Sequence, residues 1–184
     1  MSASRPDPYV PRVWVDKEAP SIDELNLYLR DYSDFLLQAP MCKVHATAAQ
    51  SVANAAWAQL TFGAEDFDND AMWDAAGTIN IHTAGWYTGN ASVCYAAGQA
   101  NNNVGYRWIT LYSSRHSLDI NAVGEWGDAS GDVKRLGIPF GPIYLDKGNS
   151  ITVRVYQSSG AALLTTATTL EFSSDFYCRW TGPA

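Results

Sequence analysis

Four aspartates, Asp66, Asp68, Asp70 and Asp74, with Glu65 and Asn69 beside them, form the densest group of metal-competent oxygens in the chain. Carboxylates at alternate positions can converge on calcium, which takes roughly six to eight oxygen ligands. The calcium-loop pattern nonetheless fails, because Ala71 stands where the sharp turn needs glycine and Gly77 where the loop closes on glutamate. A solvated or inter-subunit loop is the expectation, with no metal and no other cofactor.

Ser113, Ser114, His116, Ser117 and Asp119 place all three residue types of a hydrolase triad within seven positions. Triad members ordinarily meet from distant segments, and no nucleophile-elbow glycines flank either Ser113 or Ser114. The stretch therefore reads as a strand and its turn. Glu125, Asp128 and Asp132 around Trp126 have the residue types of a glycosidase carboxylate pair beside a stacking ring. Asp and Gly are also ordinary turn formers, so the run from Gly127 to Asp132 reads as a turn, with a non-catalytic glycan contact as the alternative. His45, His82 and His116 lie far apart, none at a ligand spacing.

Cys42, Cys94 and Cys178 are an odd set with no short spacing, which excludes a Cys-x-x-Cys zinc or redox motif and argues against a disulfide framework. They are expected to be small buried hydrophobes, folded in a reducing compartment. A net charge of -7 and a pI near 4.7 repel polyanions, and Lys134–Arg135 is the one adjacent basic pair, so no nucleic-acid partner is predicted. No stretch is long and apolar enough to cross a bilayer, and the first residues lack the apolar core of a signal peptide, so no membrane partner is predicted either.

The 184 residues fit one main domain and an appendage. A 47% hydrophobic share supplies a core, while 17% charged residues fall below the roughly 25% of an average soluble domain, as suits a surface covered by other protein. Five of the eight prolines, Pro6, Pro8, Pro11, Pro20 and Pro40, fall in the first 40 positions. Proline fixes φ and removes a donor, so residues 5–11 are expected to be extended and to lie along a neighbouring protein surface. Ser21–Gln38 is predicted to be a helix: Ser21 caps it, Glu24 completes a capping box, and Pro40 stops it. Its Ile22, Leu25, Leu29, Tyr32 and Leu36 repeat at heptad spacing. Such a short helix is marginal alone, so that seam must bury itself on its own domain, on a symmetry mate or on a larger assembly. Trp14 has nothing local to bury it and is the residue type of an interface anchor.

From residue 41 the grammar changes to short strands and turns. Candidate strands are Lys43–Ala48, Ala56–Phe62, Thr78–His82, Gly85–Ala96, Gly105–Ser113, Leu118–Trp126, Val133–Ile138, Ser150–Gln157 and Leu170–Trp180. Ile151, Val153 and Val155 alternate with Thr152, Arg154 and Tyr156, the pattern of a strand with one buried face. Leu60, Phe62, Ile79, Ile81, Tyr87 and Val93 are the expected core. A mainly β chain of this kind forms an antiparallel sandwich, most commonly a jelly roll, over 41–184, preceded by the arm and helix of 1–40.

The runs Leu60-Thr-Phe, Phe67-Asp-Asn-Asp-Ala-Met-Trp-Asp, Thr78-Ile-Asn-Ile, Ala84-Gly-Trp-Tyr, Ala91-Ser-Val and Gly148-Asn-Ser-Ile-Thr-Val-Arg-Val-Tyr-Gln resemble the C1q/TNF-like jelly-roll domains of phage virion proteins. The likeness covers roughly residues 44–180. Residues 14–36 resemble a segment at the start of small virion proteins of tailed phages that infect actinobacteria. Together these resemblances imply a structural virion protein with no enzymatic activity, assembled in the host cytoplasm. They imply a homotrimer and a role in capsid decoration or as a head fibre bound to the major capsid protein. A minor tail protein, or a tail-tip receptor- or glycan-binding module that meets a host surface glycan through Trp and Tyr in outer loops, is the alternative. The anchor and oligomer contacts expected are Trp14, Ile22, Leu25, Leu29, Tyr32 and Leu36.

Overall fold

The computed structural model describes residues 21–23, 33, 38–99, 101, 104–126, 134–166 and 173–183. Among these described residues twelve strands run in order: β1 (Met41–His45), β2 (Ser51–Val52), β3 (Ala56–Gln59), β4 (Ala64–Asp68), β5 (Thr78–Asn80), β6 (Gly85–Tyr95), β7 (Tyr106–Ser113), β8 (Leu118–Trp126), β9 (Lys134–Leu145), β10 (Ser150–Gln157), β11 (Leu163–Leu164) and β12 (Asp175–Gly182). The first sheet has the order β4-β1-β12-β6-β9, and the second the order β3-β10-β7-β8, with β5 also pairing β10. Every pairing is antiparallel. Chain order jumps between the sheets, so the two inner faces close over one core, as in a jelly-roll sandwich.

Period-two alternation decides which side chains enter that core. Ile151, Val153 and Val155 of β10 point inward, beside Ile109 and Leu111 of β7, and all five are buried. The expected core residues Leu60, Phe62, Ile79, Ile81, Tyr87 and Val93 are buried too. The buried Tyr87 hydroxyl donates to the Thr83 carbonyl at 2.6 Å, which satisfies a polar group that would otherwise cost stability. Gln157, also fully buried, ends β10 by donating to the Val52 and Ala161 carbonyls at 3.0 and 2.7 Å and accepting the Ser159 N–H at 2.8 Å. One amide thus ties the small β2–β11 pair to the second sheet.

Two strand expectations are corrected. Asp66 to Asp68, read as the start of the acidic loop, belong to β4 (Ala64–Asp68), which among the described residues is an edge strand paired with β1 alone. β9 continues past Ile138 through Pro139 and Pro142 to Leu145. Proline lacks a ladder donor, but β9 is also an edge strand and pairs with β6 alone, so the missing N–H groups cost little. The expected strand Leu170–Trp180 is realised as Asp175–Gly182, with 167–172 outside the described residues. Of the predicted helix Ser21–Gln38, five residues are described: Ile22, Asp23 and Ser33 are helical, Ser21 is not and Gln38 lies in a turn, and the others lie outside the described residues.

Candidate functional site

The outward faces of both sheets carry aromatic rings in cross-strand rows. On the second sheet, Trp57 of β3 stands opposite Tyr156 of β10, which stands opposite Trp108 of β7, which stands opposite Gly124 of β8. Trp57 and Tyr156 have ring centroids 5.3 Å apart at 46°, and Trp57 and Trp108 lie 6.4 Å apart at 70°. A Cβ on Gly124 would lie 2.5 Å from Trp108 Cδ1, so the indole lies over bare backbone there. These three rings, with Tyr106 and Ser158, line an open hollow of about 310 Å3. Trp57 and Trp108, whose rings meet, are still 48% and 43% exposed, and Tyr106 beside them is 41% exposed. In the next row the Arg154 guanidinium sits 3.6 Å from the centre of the Tyr112 ring.

On the first sheet, Phe67 of β4 and Tyr177 of β12 stand opposite Lys43 of β1 from either side, their rings edge to face at 6.2 Å. Trp86 of β6 meets Tyr144 of β9 in the same manner at 5.6 Å. Phe67 and Trp86 remain about two-fifths exposed. A second hollow, a cleft of about 660 Å3 between β8 and β9, is lined by His116, Asp119, Ile120, Asn121 and the segment from Pro139 to Ile143.

The four aspartates do not converge. Asp66 bonds Lys43 Nζ at 2.6 Å and faces His45 Nδ1 at 3.0 Å. Asp68 accepts the N–H groups of Asp70, Met72 and Trp73, and Asp70 accepts the Thr83 hydroxyl at 3.1 Å. Asp74 accepts the N–H groups of Ala76, Gly77 and Thr78 at 2.9 to 3.0 Å. These carboxylates shape a turn, each with its own donors. Among the described residues no group of three or more His, Cys, Asp or Glu is placed to hold a metal.

Two of these carboxyls titrate low. The Lys43 hydrogen bond holds Asp66 below its usual value near 3.8 against the opposing effect of burial. At Asp74 burial alone would raise the value, but the donors from Thr78, Ala76 and Gly77 outweigh it and lower it. A carboxyl whose folded-state pKa is depressed stabilises fully above its unfolded-state value and loses that contribution as pH falls through the folded-state value. The unfolding midpoint is therefore expected to hold steady down to about pH 5 and to drop below about pH 4. Asp74→Asn should start lower at neutral pH, and thermal scans should find the two chains converging near pH 2, roughly where both carboxyls are protonated.

The triad residue types do not assemble. Ser113 is buried and its Oγ accepts the Arg115 N–H, Ser114 Oγ accepts the Ser150 N–H at 2.8 Å, and Asp119 takes the Thr110 hydroxyl. His82 Nδ1 faces the Asp70 carbonyl at 2.9 Å, far in the chain from His45 and His116. Glu125 and Trp126 have β8 backbones, but their side chains, with Asp128 and Asp132, lie outside the described residues. The three cysteines are free and buried, as expected, and burial pushes the Cys42, Cys94 and Cys178 thiols up.

No protein-family model matches the sequence, and no match is found among curated proteins. Solved structures do match. Murine APRIL at pH 5.0 aligns with a TM-score of 0.57 at 10% identity over 77% of this chain and 98% of that one. The Eiger TNF of S. frugiperda aligns with a TM-score of 0.58 at 10% identity over 80% and 95%. The fold is a TNF-like jelly roll. At this identity the likeness is one of fold alone.

On the TNF-like jelly roll the aromatic rows belong to strands, whereas the sequence pointed to Trp and Tyr in outer loops. The alternation of β7 and β10 already put Tyr106, Trp108, Tyr112 and Tyr156 on one outward side, and that was the available signal. Of the expected anchors, Ile22 is described and is 78% exposed in the single chain. Trp14, Leu25, Leu29, Tyr32 and Leu36 lie outside the described residues.

Proposed function

We propose that the chain is a structural virion protein of a tailed phage, a capsid decoration or head-fibre protein that forms homotrimers and is held on the capsid by residues 1–40. The observation that carries the assembly half of this reading is the first-sheet face, where two separate ring pairs, Phe67 with Tyr177 and Trp86 with Tyr144, stay partly in water, the first of them flanking Lys43 and its partner Asp66. Exposed aromatic pairs on one sheet face suit burial against a second copy, at roughly 25 cal/mol per Å2 of apolar surface covered. The sequence resemblance to phage virion proteins supports the location, and the heptad seam with Trp14 supplies the anchor. The protein acts by adhesion and reinforcement rather than catalysis.

Removal of residues 1–38 should leave a soluble jelly roll whose occupancy on particles falls by at least about tenfold, the loss of some 1.4 kcal/mol of anchoring. Sedimentation of particles mixed with labelled protein measures it. Undiminished decoration by the truncated chain would remove the anchoring role. A minor tail protein is the second reading, and label seen on tails instead of heads would select it.

A further inference from the structure

We propose that the outer face of the second sheet binds a neutral pyranose, the unit of an uncharged surface polysaccharide, in the trough between Trp57, Tyr156 and Trp108. The inference stands apart from the anchoring reading, since it concerns the face of the sandwich opposite the first-sheet rings.

Size and charge select the ligand class. The hollow of about 310 Å3 lies at the lower end of small-ligand pockets, roughly 300 to 1,000 Å3. A standard protein contact covers about 800 Å2 on each partner, far more than four rings and a serine offer. Among the described residues the lining holds no carboxylate and no cation: Trp57, Tyr106, Trp108, Tyr156 and Ser158 are all neutral. Arg154, two residues from Tyr156 on β10, has its guanidinium over Tyr112. A net charge of -7 adds a further barrier to anions. The ligand must therefore be small, uncharged and able to use both apolar and hydroxyl-type contacts.

A pyranose meets that description. One face of the sugar ring presents polarised C–H groups, which are drawn to the negative face of an indole or phenol. Its hydroxyls point outward in the ring plane, where indole N–H, phenol O–H and the Ser158 hydroxyl border the trough. The rings are inclined to one another by 46° and 70°, so they form walls rather than a flat stack and can hold one sugar from two sides. Gly124 completes the device. Glycine weakens a strand interior, and here it lets the Trp108 indole lie on the backbone of β8.

The test follows the indole N–H resonances of the full-length, 15N-labelled protein during titration with methyl glycosides of glucose, galactose, mannose and N-acetylglucosamine, and with their trisaccharides. At least one of these sugars should shift two of the seven indoles saturably. Trp57→Ala and Trp108→Ala should each weaken that binding by at least about tenfold. Gly124→Val should do the same without deleting a ring, and unchanged thermal midpoints would show that the variants still fold. Absence of saturable shifts with every sugar would overturn the proposal, as would binding that survives in the Trp57→Ala, Trp108→Ala double variant. So would shifts of the same indoles on concentrating the protein alone, the sign of a second copy in the trough, or on adding a proline-rich peptide when no sugar acts.

Discussion

Gly89→Val should unfold at least about 10 °C below the parent chain, the consequence of a destabilisation of roughly 3 kcal/mol or more in a domain of this size. Gly89 lies in the middle of β6, opposite Cys178 of β12 on one side and Phe140 of β9 on the other. A Cβ there would stand 2.0 Å from the Tyr177 carbonyl oxygen, 2.6 Å from Phe140 Cε1 and 2.9 Å from Cys178 Cα. The first and last of these are backbone atoms of β12, which is held between β1 and β6 and cannot withdraw without breaking a ladder. Phe140 cannot turn aside either, because its ring is stacked on Phe176 at 6.0 Å. Gly137 supplies the control: nothing lies within 4 Å of its would-be Cβ. Gly137→Ala should therefore hold its midpoint within a degree or two of the parent, roughly the effect of a surface substitution. Thermal unfolding followed by circular dichroism separates the two cases.

If the proposed trimer forms through the first sheet, Trp86→Glu should lower its mass in light scattering from about three times 20.1 kDa to 20.1 kDa, with secondary structure retained. In the single chain Trp86 is 40% exposed, so a glutamate there is hydrated and the fold tolerates it. In an assembly that buries this face, the same carboxylate loses its water, and the neighbouring Arg115 guanidinium, 4.7 Å from the Tyr144 ring centre, is already paired with Asp146. Trp57→Glu, on the opposite face, serves as the contrast and should leave the mass unchanged. Dissociation by Trp57→Glu together with an unaltered Trp86→Glu would assign the subunit contact to the second sheet and displace both readings of the two faces.

What the sequence revealed and what it concealed divides along the range of the interactions. Alternation is local, so the inward set Ile151, Val153 and Val155 and the core positions Leu60 and Val93 could be read from neighbouring letters. β4 could not, since Ala64-Glu-Asp-Phe-Asp68 has no buried stripe and exists as a strand through its partner β1. The prolines hid the second half of β9 for a related reason: whether proline ends a strand depends on whether that strand lies at an edge. The acidic run looked like a ligand set because sequence gives carboxylate spacing without giving the donors. Once folded, Asp68 and Asp74 spend their oxygens on nearby N–H groups. Arg107, a residue type seldom buried, is fully buried here with its guanidinium 5.6 Å from the Tyr95 ring centre. The row Trp57, Tyr156, Trp108 needed register, which joins positions about 50 and 100 residues apart in the chain.

The place of β1 has a mechanical consequence. Residues 41–45 are hydrogen-bonded on both sides, to β4 and to β12, and the Pro40 carbonyl just before them accepts the Trp180 N–H at 2.8 Å. Tension entering through the preceding residues thus meets two antiparallel ladders loaded along the strand, where several bonds must yield together instead of opening one after another. Between a tether at one end and a load on the outer sheet, this strand would work as a shear joint, and its strength is set by the unfolding rate rather than by equilibrium stability.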